Sequence, residues 1–535
     1  LSCQRGTLSK SVFREQDLYY QIGIQAQYSG DRAKSINALS QRASISDRTI
    51  ALGVDRKGYL IYSTQEIIQL ENELVTIAKV MATTFHTDPC VSDFRSLVSK
   101  QKGNTLSEEQ RASIECIMNS KAFCILQGSA GTGKSFSMKT IKQVYERHNQ
   151  TVFGACIAKI AADNLQMETG IKSGTIAKLL ADSKAGKHPL RFINVLVIDE
   201  AGQVGCKQMH SILKLAKESQ TKVILVGEDK QLDAIELGGV LKFLSQPEII
   251  GTSRIQTIRR QNELWARQVV ANFRDGNALV ALQELSKRSL ITIAQSHQLA
   301  IMQLVKKWKS YVVSNPHKEA IVLAQKWSDV DSISSQLRAH FKKCGEVEDD
   351  LIEIKCSVSG RTMIQAFAVG DRVRFTKNDY KLGVSNGTFG KVMKISIGGE
   401  QYNLQIKCND STTVTINNQN YTDENGNFPL IHAYAMTVYS SQGITVNGST
   451  FILYNSYMGR EATYVAGSRH KDNSYFFFNS KDVDYLSTGK KISTNSRLEE
   501  YAKMMNFRSK HKLAIEYLDN HVNEKLIPKN HEIQH

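Results

Sequence analysis

Three stretches of the chain are apolar runs that end abruptly in polar or glycine-rich residues. AFCILQ at 122–127 gives way to GSAGTGKS, VLVI at 195–198 to DEAG, and VILV at 223–226 to GEDKQL. Runs this short and this apolar predict strands buried on both faces, the signature of a parallel sheet. SMKTIKQVYERH at 137–148 and QEIIQLENELVTIAKVMA at 65–82 predict helices, and RTIALGVDRKGYLIYST at 48–64 predicts two short strands around a turn. Between 367 and 420 the pattern changes. VRFTK, GTFGKVMKI, YNLQIK and TTVTI are short alternating runs split by Gly and Asn, as in antiparallel strands.

Bulk properties narrow the picture. A chain of 535 residues is too long for one compact domain. Sixty-eight Lys and Arg against 52 Asp and Glu leave a net charge of +16, which favours a polyanionic partner, nucleic acid or an acidic membrane surface. No run of about 18 apolar residues occurs, so no membrane span is expected. The opening residues LSCQRGTLSKSVFREQ lack the apolar core of a secretory signal, and the chain starts with Leu, as a fragment or processed product would. Nine scattered cysteines without a CxxC or Cys/His cluster predict neither a zinc site nor a disulfide framework, and suit a reducing, cytoplasmic setting.

The chemistry concentrates at the ends of the three apolar strands. QGSAGTGKSF at 127–136 follows a strand and opens a helix, the context that turns GxxxxGK[ST] into a phosphate-binding loop. Gly128, Gly131 and Gly133 let the backbone curl around a phosphate together with Thr132. Lys134 brings a cation to the β/γ-phosphates, and Ser135 a hydroxyl to Mg²⁺. Asp199, at the carboxyl end of its strand, is the expected second Mg²⁺ ligand. Glu200 beside it is placed to polarise an attacking water. Gln231, after the third apolar strand, is well placed to sense a γ-phosphate, an assignment that leans on the blocks that follow. ATP and Mg²⁺ are the implied ligands.

The order of these blocks resembles a known family. LSEEQRASI, GSAGTGKS, VIDEAG, VGEDKQLDAI, TIRRQ, MTVYSSQGITV and YVAGSRH follow the motif order of superfamily 1 DNA helicases of the RecD-like, 5′→3′ branch. AKIAADNLQMETGIKSGTIAKLL at 158–180 and FAVGDRVRFTKNDYKLGVSNGTFGKV at 367–392 bring the resemblance closest to the helicase portion of TraA/TraI-type conjugative relaxases. The resemblance implies an α/β fold with two RecA-like P-loop domains with parallel sheets, a small inserted β-barrel and an N-terminal α+β accessory domain. The expected boundaries are 1–100 for the accessory domain, 101–255 for the first motor domain, 256–366 with 430–484 for the second, 367–429 for an SH3-like barrel and 485–535 for a basic helical tail.

The resemblance also implies roles. Gln110 would read the adenine edge. Arg260 and Arg469 would reach the γ-phosphate from the second motor domain. Lys159, Thr175, Gln442 and Thr445 would touch single-stranded DNA. Three departures from the family pattern stand out. Glu228 replaces Asp in the GDPEQL segment and its Pro is lost, Ser440 stands where HKSQG has Lys, and Ser468 replaces a Thr. The 13 histidines form no HxHxH cluster, so the chain reads as the helicase part without a nickase. The implied function is an ATP-dependent 5′→3′ helicase or translocase on single-stranded DNA within conjugative transfer, alongside a separate relaxase or transfer machinery. The alternatives are a non-helicase P-loop translocating ATPase and a degenerate copy that binds single strands without turnover.

Overall fold

The computed structural model describes residues 10–29, 39, 46, 48–55, 58–100, 106–234, 237–379, 381–409, 411–484, 493–508 and 512–518. The part of the expected basic tail beyond 518 lies outside them.

Two parallel sheets carry the architecture. The first runs in the order Lys172–Thr175, Val152–Cys156, Val195–Ile198, Lys222–Gly227, Phe123–Gly128, Ser253–Ile255, every pairing parallel. Its central strands are buried along their whole length, because helices cover both faces. The second sheet runs Ile291–Ala294, Ser474–Asn479, Gly448–Leu453, Glu319–Ala324, Ala435–Thr437, also all parallel. The fold is therefore mixed α/β with two parallel-sheet units; the apolar runs predicted the first, and the family resemblance implied the second.

A five-stranded antiparallel sheet interrupts the second unit, in the order Thr413–Asn417, Gln401–Cys408, Phe389–Gly398, Arg372–Phe375, Leu430–His432. Its strands alternate: Val373, Phe375, Val392, Leu404 and Ile406 are buried in one core that the hairpin Ile352–Val358/Arg361–Phe367 also enters. Asp371 fastens this insert to the second unit. It is fully buried and accepts two hydrogen bonds from Arg338, at 2.7 and 2.8 Å, and one from the Tyr434 hydroxyl at 2.7 Å. Burial pushes the Asp371 carboxyl up, but His432 and Arg338 outweigh it and hold it below the usual carboxylate range.

Toward the N-terminus, Phe13–Arg14, Leu60–Thr64 and Thr49–Val54 form a small antiparallel sheet. The helix Gln65–Thr83, capped by the Thr64 hydroxyl, lays Ile67, Leu74, Ala78 and Met81 into the same apolar core as the first parallel sheet. At the other end of the chain, helix Thr494–Asn506 packs on the second unit, yet Leu513, Ala514 and Ile515 return to the core of the first. Buried Glu71 receives the Ile515 amide there at 3.1 Å. Among the described residues no helix is long and apolar enough to cross a membrane.

Candidate functional site

The loop 128–133 leaves the central strand Phe123–Gly128 and enters the helix Lys134–Arg147. Gly131 and Gly133 take φ of 77° and 83°, a region that disfavours any side chain. A Cβ on Gly133 would also stand 2.6 Å from the Gln110 amide nitrogen, and one on Gly131 would collide with Arg260. The loop is held from several sides. Lys134 Nζ donates to the Gly128 carbonyl at 2.5 Å, and the Thr132 hydroxyl to Ser129 O at 2.9 Å. Gln110 closes a capping box with Ser107 and donates its amide to the carbonyls of Thr132 and Gly133 at 3.1 and 3.3 Å. Ser135 lies one residue into the helix, at the positive end of its dipole.

Asp199 and Glu200 follow the strand Val195–Ile198 toward the same loop. Glu200 adopts a left-handed φ of 50° and its amide donates to Asp199 Oδ1 at 2.9 Å, so the two carboxylates are held in a fixed relation. Burial and the neighbouring Glu200 raise the Asp199 carboxyl, while Lys134 pulls against them. A divalent cation between Asp199 and Ser135 would reverse that shift.

The second unit closes over this floor. Arg260 donates to Ser468 O at 3.0 Å, and Arg469 to Val465 O and the Ser468 hydroxyl, both at 2.9 Å. Neither guanidinium makes an ion pair among the described residues; burial, then the nearby Arg469, lowers Arg260 to about 10, and burial lowers Arg469 too. Glu200 acts on both from the same cavity without pairing to either, and two adjacent buried cations with no ion-paired carboxylate form a ready anion site. Lys134, Asp199, Glu200, Gln231, Arg260, Thr445 and Arg469 line one cavity of about 370 Å³ between the units. A larger cavity, about 870 Å³, lies between the helices 65–83 and 206–218 and contains none of the expected site residues.

Gln231 is buried, with its amide on Glu228 at 2.8 Å. Gln442 reaches Leu232 O at 3.4 Å across the interface between the units. Thr175, the last residue of the strand Lys172–Thr175, and Lys159, just past the neighbouring strand Val152–Cys156, are not among the residues lining the cavity. The Thr175 hydroxyl caps the helix Ile176–Lys184, and Lys159 pairs with Asp163. Sequence reasoning missed several residues here. The Tyr464 hydroxyl accepts from the Ala130 amide at 2.8 Å and donates to buried Glu228 at 2.9 Å. Arg274 donates to Ser129 Oγ at 2.9 Å, and the Arg259 and Arg260 amides donate to Gly131 O. The second unit thus grips the loop itself. Tyr464 belongs to the block YVAGSRH, but Arg274 belongs to no motif and carries no signal in the sequence.

Two parallel sheets with a phosphate-binding loop between them define a P-loop protein of the RecA-like helicase fold. Comparison with known proteins agrees. Residues 105–296 match a family described as an AAA domain, AAA_30. Over 490 residues the chain is 27% identical to "Probable conjugal transfer protein TraA" of Sinorhizobium fredii (strain NBRC 101917 / NGR234), covering 89% of this chain and 42% of that protein. It is 24% identical over 423 residues to the ATP-dependent RecD2 DNA helicase of Deinococcus radiodurans, covering 76% of this chain and 54% of the relative. A solved Pif1 helicase structure, described with DNA unwinding at forked duplexes by two coordinating Pif1 helicases, superposes with a TM-score of 0.50 at 18% identity. It covers 79% of this chain and 98% of its own. The chain spans less than half the length of the TraA relatives it matches, 42% and 44%.

Proposed function

We propose that this chain is an ATP-driven translocase or helicase on single-stranded DNA, moving 5′→3′, that serves conjugative DNA transfer in the cytoplasm with a separate relaxase or transfer machinery. The observation that carries the reading is the pair of buried guanidiniums, Arg260 and Arg469, that make no ion pair among the described residues and share a 370 Å³ cavity with Lys134 and Glu200. That arrangement fits a polyphosphate. Ser135 and Asp199 would hold Mg²⁺, a donor set of one hydroxyl and one carboxylate that leaves room for phosphate oxygens. The bound ion would neutralise charge on those oxygens.

In this reading Lys134 and the loop amides seat the phosphates, and Glu200 orients the attacking water. Gln231 senses the terminal phosphate, and Arg260 and Arg469 stabilise charge arriving from the second unit. Gln110 faces the base edge. Because Arg260, Gln442 and Thr445 belong to the second unit, loss of the terminal phosphate relaxes the contact between units. Lys159, Thr175, Gln442 and Thr445 grip a strand across both, so opening and closing becomes stepping. The roles of Gln110, Lys159 and Thr175 follow from the family resemblance, and their present hydrogen bonds would have to exchange on ligand binding. The domain boundaries expected from the sequence belong to this proposal, with the SH3-like insert expected at 367–429 widened to take in the hairpin Ile352–Val358/Arg361–Phe367 and the strand Leu430–His432, which share its core and sheet.

The test is the ATPase rate of wild type and Lys134→Ala, with and without single-stranded oligonucleotide. Stimulation by the strand in wild type and loss of turnover in the variant are expected. Turnover indifferent to oligonucleotide would sink the reading. Glu228 in place of the family Asp favours one rival, a non-catalytic single-strand binder; tight binding without ATP turnover, unchanged by Lys134→Ala, would select it.

A further inference from the structure

Ser440 stands where the family pattern HKSQG carries a lysine, so the segment 436–446 has lost a cation. The structure shows what lies against that position. In the strand Arg372–Phe375, Val373 and Phe375 are fully buried in the core of the insert, which by alternation sends Arg374 to the opposite face. Its Nη1 donates to Ser440 Oγ at 2.8 Å. Ser440 is itself fixed by Thr437, through its amide at 3.1 Å and its hydroxyl at 2.8 Å. These residues lie just past the carboxyl end of the strand Ala435–Thr437, the side of a parallel sheet where ligands bind.

Arg374 has no acidic partner among the described residues. It makes no ion pair among the described residues, its Nε is shut off from solvent without a hydrogen-bond partner, and burial alone lowers the guanidinium. A partly buried cation with an unused donor and no counter-charge among the described residues is short of an anion. Ser440 is too short to displace it and offers a hydroxyl to orient it, whereas a lysine there would repel it.

We propose that Arg374 supplies, from the inserted sheet, the cation missing at 440, and that it grips a backbone phosphate of single-stranded nucleic acid. The assignment rests on the function proposed above and adds a contact from a different segment of the chain.

The experiment measures binding of a fluorescent single-stranded oligonucleotide over a salt series. Arg374→Met retains the apolar stem, Arg374→Gln retains a donor to Ser440, and Arg374→Met with Ser440→Lys moves the charge to the family position. Thermal unfolding checks that each variant is folded. Both neutral variants are expected to bind roughly tenfold more weakly, with a log–log salt slope shallower by roughly 0.7, the loss of one phosphate contact. The double variant is expected to recover both. Wild type that binds with ordinary salt dependence, while folded Arg374→Met and Arg374→Gln bind equally tightly on the same slope, overturns the assignment alone. Recovery of binding by Arg374→Gln, or no recovery by the double variant, also overturns it, because the charge would then not be the agent. Wild type that holds no single strand overturns the proposed function and this inference together.

Discussion

Replacing Glu71 by Gln removes a charge from the place where the two ends of the described chain meet. Glu71 is fully buried on the helix Gln65–Thr83, where its carboxylate receives the Ile515 amide at 3.1 Å. Burial pushes its carboxyl from the ordinary 4.5 up to about 7. A group raised on folding adds stability that is complete below its unfolded value and is lost as pH rises through its folded value. Wild type therefore weakens between about pH 4.5 and pH 7, by about 3 kcal/mol at roughly 1.4 kcal/mol per pKa unit. Glutamine retains an acceptor for Ile515 and never ionises. The variant is expected to match wild type at about pH 4.5 and to exceed it by up to about 3 kcal/mol at pH 8. Urea unfolding at a series of pH values, read at the first parallel-sheet unit, measures the difference. A gap between variant and wild type that stays constant across this range would refute the reasoning, because the carboxyl would then titrate alike folded and unfolded.

Two further outcomes follow from the contacts between units. Tyr464→Phe strands the Ala130 amide and removes a donor from buried Glu228, so it should cost about 2–3 kcal/mol. It should also raise the KM for ATP; a variant with wild-type melting temperature and KM would show that the phenol does not join the units. Asp371→Asn leaves Arg338 with Asp350 as its remaining carboxylate and should cost about 1–3 kcal/mol in chemical unfolding. A loss below about 1 kcal/mol would mean that the insert is held by its apolar contacts alone.

Much of the site is legible in the order of residues alone. The phosphate-binding loop announces itself because the chemistry demands glycines at positive φ, a lysine and a hydroxyl within a few consecutive residues. Asp199 and Glu200 are equally visible, since an apolar strand that stops at two acids places them at the sheet's carboxyl edge. Arg260 and Arg469 are legible only through the motifs around them; nothing in a lone arginine of so basic a chain distinguishes a cleft residue from a solvated one. Tyr464 sits inside a family block without standing out, because its function depends on Ala130 and Glu228, more than two hundred positions away in the chain. Arg274 has no local pattern at all, and Arg374 sits inside the block 367–392 without standing out, because its partner Ser440 lies far along the chain.

Left to itself, then, the sequence determines what is local. Strand and helix periodicity, the curl of a glycine loop and the residue types that a phosphate and a metal require all act over a dozen positions or fewer. Which side chains meet across the cleft is a different matter. Arg274 on Ser129, Tyr464 between Ala130 and Glu228, Arg374 on Ser440 and the return of Ile515 to Glu71 are long-range contacts set by how the sheets pack. Only the folded chain decides them, because their energies come from desolvated groups brought together by burial of the apolar cores, and burial belongs to no segment alone.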